Sequence, residues 1–225
     1  MKSKKNDMTI SKNTLSILKN FSTINSNLLV KPGNKISTIA PAKNLMAEAE
    51  VDETFEIEFG IWDLSRFLGV ISLFENPTFD FHEKYVSITG ANGSVGKYYY
   101  SDPKLLTTPT KTVKMPEELV SFTLYQDQMS ELMKASSVLQ LPHLSFTGTG
   151  QNITAILQSM DDPTSNTYTV DILNAEENED FEASLDMEHL KMLNGDYSVT
   201  ITKGPVCRFQ HLSMDLTYWM ALKSD

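Results

Sequence analysis

The sequence predicts an α+β protein built from two similar halves. Short apolar runs that alternate with polar residues outnumber the segments with helical spacing. A Pro- and Thr-rich stretch over 101–116 separates them into two groups. The order of helix and strand in the first group recurs in the second. At 225 residues, with 40% hydrophobic and 21% charged residues, the chain is long enough for two small domains, each with its own core.

The first helix is expected over 11–22. Ser11 is a natural N-cap, and Leu15, Leu18 and Phe21 fall three or four residues apart, with Ile17 and Ile24 beside them. Strands are expected at 27–31, 35–39, 45–51 and 54–59. Pro32-Gly33-Asn34 turns the chain between the first two, and Phe55, Ile57 and Phe59 alternate with Glu56 and Glu58. A second helix over 62–74 has Asp63 as its cap and Leu64, Phe67, Leu68, Ile71 and Phe74 as its apolar face. Gly69 in its middle costs roughly 1 kcal/mol of helix propensity, which points to close packing there or to a tolerated exception. Strands at 78–81, 85–89 and 94–100 end the first half, the last two joined by a glycine-containing hairpin turn over 90–96.

The second half begins with a strand at 120–124 and a helix over 125–140, with Met129, Leu132, Met133 and Leu139 near one face. Four strands are expected at 143–147, 153–160, 168–173 and 181–185. A fourth helix is expected over 186–194, capped by Asp186 and stopped by Gly195. Strands at 197–202, 206–211 and 216–222 close the chain. The expected division is a first domain over 1–105, a linker over 106–117 and a second domain over 118–225.

Several function classes are disfavoured at once. A net charge of −10 argues against nucleic-acid binding over the whole surface, because phosphates require cations. A single cysteine leaves no disulfide framework within the chain and no Cys-rich zinc site. No apolar run of about eighteen residues is present, so no membrane-spanning helix is expected. The basic, polar start lacks the apolar core of a secretory signal, and an intracellular protein is expected. There is no P-loop and no Gly-x-Ser-x-Gly. His82, His143, His189 and His211 are scattered without metal-ligand spacing. Cys207 beside Arg208 reads either as an activated thiolate or as a packed thiol. No cofactor, metal or catalytic residue is expected.

Positive charge falls on the helices. Lys12 and Lys19 lie on the first, Arg66 on the second, Lys134 on the third and Lys191 on the expected fourth, while acid concentrates in strands and loops such as 48–58 and 176–182. An ordinary solvated helix face accounts for this. So does a weakly basic surface that holds DNA through its phosphates without reading sequence.

Two segments decide between these readings. Ile10-Ser11-Lys12-Asn13-Thr14-Leu15-Ser16-Ile17-Leu18-Lys19-Asn20-Phe21-Ser22-Thr23-Ile24-Asn25-Ser26, and then Ile61-Trp62-Asp63-Leu64-Ser65-Arg66-Phe67-Leu68-Gly69-Val70-Ile71-Ser72-Leu73, resemble the sliding clamps of T-even-like bacteriophages in the same order and at similar separation. Elsewhere the resemblance rests on length, strand order and linker position. It implies two DNA-clamp domains per chain and a homotrimeric ring around double-stranded DNA, with helices on the inner face and antiparallel sheets on the outer. It also implies an ATP-driven clamp loader, tethering of the replicative DNA polymerase, late transcription factors as further partners, and the cytoplasm of the infected host as the location. The clamp itself hydrolyses nothing.

Under the resemblance, Lys12, Lys19, Arg66, Lys134 and Lys191 are the expected DNA contacts. The subunit interface is expected to pair 97–100 with 181–185 of a neighbour, bringing in Lys97, Tyr98, Tyr99, Tyr100, Phe181 and Leu185. Three consecutive tyrosines cannot all point inward from one strand, so at least one faces a partner or solvent. Leu105, Leu106, Tyr218 and Met220 are the expected lining of a pocket for a partner's peptide. The family's start aligns near Met8. Residues 1–7 are therefore expected to be a disordered addition, with translation from Met8 as the alternative. A β-rich structural virion protein fits much of the same pattern, and a small hydrolase using Cys207 is the third reading.

Overall fold

The computed structural model describes residues 8–162 and 164–223, which form two compact units parting between Lys111 and Thr112. The segment 1–7, expected to be disordered, lies outside the described residues.

In the first unit, α1 spans Lys12–Ile24. The Ser11 hydroxyl accepts the Thr14 N–H at 3.1 Å, which starts the helix as expected. Its inward face is Thr14, Ile17, Leu18, Asn20, Phe21 and Ile24, so the stripe is centred on Ile17 and Phe21, and Leu15 lies at its margin. The buried Glu53 reaches this helix end, accepting the Ser11 N–H and the Thr14 hydroxyl. Its negative charge suits the positive end of the helix dipole.

Strands β1 (Leu28–Val30) and β4 (Phe59–Ile61) pair antiparallel, as do β2 (Gly33–Ile39) and β3 (Leu45–Phe55). The strand expected over 54–59 is split. Phe55 ends β3 against β2, and four residues later Phe59 pairs with Val30 of β1. The chain changes partner between them, which a continuous strand cannot do. Both rings still meet, edge to face, at 5.6 Å.

Helix α2 covers only Leu64–Ile71. Asp63 caps it, accepting the Arg66 N–H at 2.8 Å, so Trp62 stays outside the helix. At the other end, Leu73 N–H turns to Val70 O and Phe74 N–H to Ile71 O, which tightens and ends it. Strands β5 (Thr78–Phe81), β6 (Tyr85–Thr89) and β7 (Val95–Tyr99) form an antiparallel sheet in that order. Gly93, at φ +82°, makes the expected hairpin turn between the last two.

In the second unit, β8 (Glu118–Leu124), β11 (Tyr197–Thr202), β12 (Val206–His211) and β13 (Leu216–Ala221) lie side by side, each antiparallel to the next. Helix α3 spans Gln126–Leu139. The four strands expected between 143 and 185 are two long ones, β9 (His143–Gln158) and β10 (Tyr168–Asp186), paired antiparallel. The expected breaks are absorbed by register shifts around Asn178 and by Gly150 at φ +61°. Gly148 lies under the Phe181 ring, where a Cβ would come within 2.0 Å of it.

The expected fourth helix is only a 3-10 turn, Met187–His189. Met187, His189 and Leu190 are all buried, more sides than one helical stripe can bury. Further on, the Leu193 N–H donates to the Tyr218 hydroxyl at 3.1 Å, and the Leu193 carbonyl accepts the Tyr197 hydroxyl at 2.6 Å. Two tyrosines of the sheet take the backbone groups that a helix would have used internally.

Candidate nucleic-acid and partner surfaces

The cations expected to meet DNA occupy three different settings. On α1, Lys12 and Lys19 are exposed together with Asn13, Ser16 and Thr23, and the helix carries no acidic residue. Helix α2 packs against α1 within the same unit. Arg66 is exposed on it, 3.8 Å from the Asp63 carboxylate, an open ion pair worth little. These three cations therefore share one helix pair with a largely uncontested positive face.

Lys134 is exposed on α3, in the company of Asp127 and Glu131. The Glu131 carboxylate accepts the Tyr168 hydroxyl at 2.5 Å, which raises the affinity of that phenol for its proton. Lys191 is exposed but is not on a helix: its N–H donates to His189 O just beyond the 3-10 turn. The expectation of a fourth helix carrying Lys191 toward DNA is corrected, because Tyr197 and Tyr218 hold that segment open.

On the sheet of the first unit, β7 is an outer strand. Val95, Lys97 and Tyr99 face outward, and Tyr99 is 67% exposed. Lys97 Nζ stands 4.7 Å from the centroid of the Tyr85 ring, and Tyr85 lies 5.5 Å from Tyr99. Tyr98 points the other way, edge-on to Phe67 at 4.9 Å, and burial raises its pKa above the ordinary phenol value. Tyr100 stacks on Phe59 at 5.0 Å, and its phenol is raised by burial further still. Of the three consecutive tyrosines, Tyr99 is the one left to solvent.

In the second unit, β10 is hydrogen-bonded along one side to β9. Near its end the Ser184 carbonyl accepts the Lys223 N–H at 2.8 Å. Phe181 and Leu185 are buried in the core. As interface side chains they are therefore corrected: strand alternation turns them inward, and Glu182 outward. Their backbone groups alternate with those of Ser184, whose carbonyl faces Lys223, and so point toward β9.

The four residues expected to line a peptide pocket also divide. Leu105 is 66% exposed on a 3-10 turn, Pro103–Leu105. Leu106 is half-buried, its Cδ1 close over Gly60, where a Cβ would stand 2.8 Å away. Tyr218 and Met220 are corrected. They lie on the inward face of β13 with Leu216 and are fully buried, so no docking peptide can reach them. The Tyr218 hydroxyl is already committed to Leu193.

Sequence reasoning missed Asn25 and Asn27, both buried. Asn25 Nδ2 donates to Ile39 O and to Thr107 O, each at 2.9 Å. Asn27 Oδ1 accepts the Thr107 N–H at 3.1 Å, and Asn27 Nδ2 donates to Trp62 O at 2.7 Å. The signal available was an Asn-Ser-Asn run directly after an apolar helix, a place where side chains often take up loose backbone groups.

The reactive-thiol reading loses its support. Cys207 is fully buried, and desolvation pushes its pKa well above the ordinary thiol value, so it carries no thiolate at neutral pH. Among the described residues no group of three or more His, Cys, Asp or Glu side chains could hold a metal ion. No helix among them is long and apolar enough to cross a membrane.

With this geometry in place, comparison with known proteins is informative. Residues 9–93 match the family described as DNA polymerase processivity factor. The chain is 29% identical to the sliding clamp of Vibrio phage KVP40, covering 96% of this chain and all of that one. It is 25% identical to the sliding clamp of Enterobacteria phage T4, covering 97% and 98%. Among solved structures, A. fulgidus PCNA, determined with the C-terminal region of FEN-1, superposes with a TM-score of 0.74 at 11% identity over 96% of this chain and 97% of that one. That likeness establishes the clamp fold.

Proposed function

We propose that this chain, a relative of T4-like phage sliding clamps along its whole length, closes as a homotrimer around duplex DNA and tethers its phage's replicative polymerase. The observation that carries the reading is the pairing of this whole-length similarity with an exposed, acid-free face on α1. A ring holds DNA by topology, so it needs only weak, sequence-independent phosphate contact, and an overall charge of −10 is compatible with that.

Lys12, Lys19 and Arg66 are the principal phosphate contacts in this reading. Lys134 and Lys191 are secondary, the first because of the acid on its helix and the second because it projects from an open segment. The clamp binds and performs no chemistry. An ATP-driven loader opens the ring, late transcription factors use the same platform, and the setting is the cytoplasm of the infected host. The working domains are 1–105 and 118–225, joined by 106–117.

Closure of a cyclic trimer requires head-to-tail contact between unlike surfaces. The outer edge of β7, with Lys97 and Tyr99 exposed, meets the neighbour's segment 181–185 at Glu182, which is exposed, the Ser184 carbonyl being already bonded to Lys223. Opposite charges on the two strands favour this pairing over β7 against β7.

Light scattering after size exclusion tests the assembly. The expected mass is three times the 25.3 kDa of one chain, with dissociation on dilution if the ring is labile. A strict monomer at every concentration overturns the ring. Loader-dependent retention on circular DNA, lost when the DNA is linearised, tests encirclement. Retention that survives linearisation overturns it.

A further inference from the structure

Glu53 stands near the end of β3, yet its carboxylate ends at the first turn of α1. Alternation along β3 puts it on the inward face between Val51 and Phe55, and it is only 8% exposed. A carboxylate in such a place is costly unless its charge is met. Here Oε1 accepts the Ser11 N–H and Oε2 the Thr14 hydroxyl. The Ser11 hydroxyl in turn donates to Thr14 Oγ1 at 3.0 Å and accepts the Thr14 N–H, so the group closes on itself. The positive end of the α1 dipole supplies the rest of the compensation.

Without that carboxylate the same helix end would suit a phosphate. The first N–H groups of a helix have no partner within it, and the dipole draws negative charge to them. At α1 the Thr14 N–H goes to the Ser11 hydroxyl and the Leu15 N–H to Ser11 O. The N–H groups of Lys12 and Asn13 take no partner among the described residues, and both residues are exposed. The Lys12 ammonium adds a cation at the first helical position. An end of this kind holds one phosphate in place. A ring that moves along DNA is slowed by such a contact, because it must break at every step. Glu53 takes the Ser11 N–H and sets a negative charge behind this end, on the side away from solvent. Only one or two residues separate it from the open N–H groups, well inside the roughly 10 Å over which salt at 0.1 M leaves charges coupled.

We propose that Glu53 is a positioning residue for sliding: its buried carboxylate fixes the end of α1 and offsets the pull of that end on phosphate, so that Lys12 meets DNA as a mobile charge and not as part of a fixed anion site. The inference rests on the clamp reading above and adds to it the residue that keeps the phosphate contact loose. Helix α2 reaches the same state by local means, since its own cap Asp63 accepts the Arg66 N–H and stands 3.8 Å from the Arg66 guanidinium.

The experiment loads full-length rings on linear duplex DNA with free ends and measures how long they stay before sliding off, with the ring mass as control. Glu53→Gln removes the charge and keeps the shape: the amide oxygen still accepts the Ser11 N–H, and the amide N–H donates to Thr14 Oγ1. Glu53→Leu removes the charge together with both bonds. Thr14→Val breaks one bond and keeps the charge. Both Glu53 variants are expected to stay about two- to fivefold longer than the wild type, the effect of one charge at a helix end. Thr14→Val is expected to be less stable and to stay no longer than the wild type. A role confined to holding α1 in place gives the opposite result, an unchanged or shortened stay in Glu53→Gln, and that result overturns the proposal. So does a Thr14→Val ring that lingers as the Glu53 variants do. A second measurement needs neither a ring nor a variant that folds. The free chain is titrated with inorganic phosphate while the amide resonances of Lys12 and Asn13 are followed. In the wild type they are expected not to move, and a saturable shift there overturns the proposal. In Glu53→Gln a saturable shift is expected. If the wild type cannot be loaded as a ring, the clamp reading fails and the role in sliding goes with it. That failure is told apart by amides that still respond to phosphate in Glu53→Gln and not in the wild type.

Discussion

Helix α1 buries Thr14, Ile17, Leu18, Asn20, Phe21 and Ile24 and lies against α2, whereas α3, one residue longer, buries Leu132 alone. Clefts of about 340 and 480 Å3 border α3, the first between it and the segment 190–195, the second beside Tyr168. The first unit has a second helix to fill the equivalent space. The second unit has a 3-10 turn followed by open chain. The difference teaches that a repeated order of elements does not imply a repeated packing. The partner of α3 was surrendered when Tyr197 and Tyr218 took the backbone of Leu193. Charge follows the same division, with α1 free of acid and α3 carrying Asp127 and Glu131 beside Lys134.

The largest expected effect separates the two helices directly. Phe21→Ala should cost about 3–5 kcal/mol, because a wholly buried ring is replaced by a cavity in a well-filled site. Leu132→Ala should fall at the low end of about 2–5 kcal/mol, because a loosely seated helix can settle into the space. Urea unfolding measures both. Equal costs would mean that α3 is as firmly held as α1.

Alkali tests the two tyrosines that hold the open segment of the second unit. Tyr197 and Tyr218 are wholly buried, and desolvation raises both phenols above their ordinary value near 10. The folded state keeps these protons after the unfolded chain would release them. Their contribution is therefore intact below pH about 10 and declines above it, by about 1.4 kcal/mol per pH unit for each tyrosine. Tyr98 and Tyr100 of the first unit are raised by burial as well, so rising pH weakens both units, and the unfolding is followed by tyrosine absorbance. Tyr197→Phe should move it to higher pH.

How much of this could be read in the sequence follows from range. Helices α1 and α2 and their caps Ser11 and Asp63 were legible because spacing and capping act within a few residues. The hairpin around Gly93 was legible for the same reason. The β9–β10 pair was not, because Gly148 and the acidic stretch near 178 look like breaks until the opposite strand is present to absorb them. The fourth helix failed in the same way: its local signals are sound, and hydroxyls from strands β11 and β13 override them. Of the candidate site residues, those chosen for exposed charge on α1 and α2 lie where expected. Tyr218 and Met220 do not, since neither composition nor spacing says which face of β13 is inward. The Asn25–Thr107 bond spans more than eighty residues and leaves no local trace.

The charge contrast yields a smaller, graded effect. Substituting Gln for both Lys12 and Lys19 should weaken salt-dependent binding to DNA, reducing the salt slope by about 0.9 for each phosphate no longer neutralised. Lys134→Gln should change the slope less, given the acid on its helix. Retention on circular DNA across a salt series reads both, with the ring mass as control. Equal slopes would return Lys134 to the same standing as the α1 lysines.

Two glycines give the finest test, because one substitution should act with opposite sign in the two units. At Gly148 an added methyl would press on the Phe181 ring, and Gly148→Ala should cost about 1–3 kcal/mol through overpacking. At Gly69, in the middle of α2, nothing lies within 4 Å of the position a Cβ would take, and the site is exposed. Close packing inside the unit is therefore not why glycine stands there. Gly69→Ala should instead stabilise the unit by up to about 1 kcal/mol, the difference in helix propensity. Thermal unfolding measures the sign. A stabilised variant that is retained on DNA as well as the wild type would make Gly69 a tolerated exception. A stabilised variant that slides or loads poorly would mean that the bare backbone of α2 beside Arg66 is approached by something outside the chain.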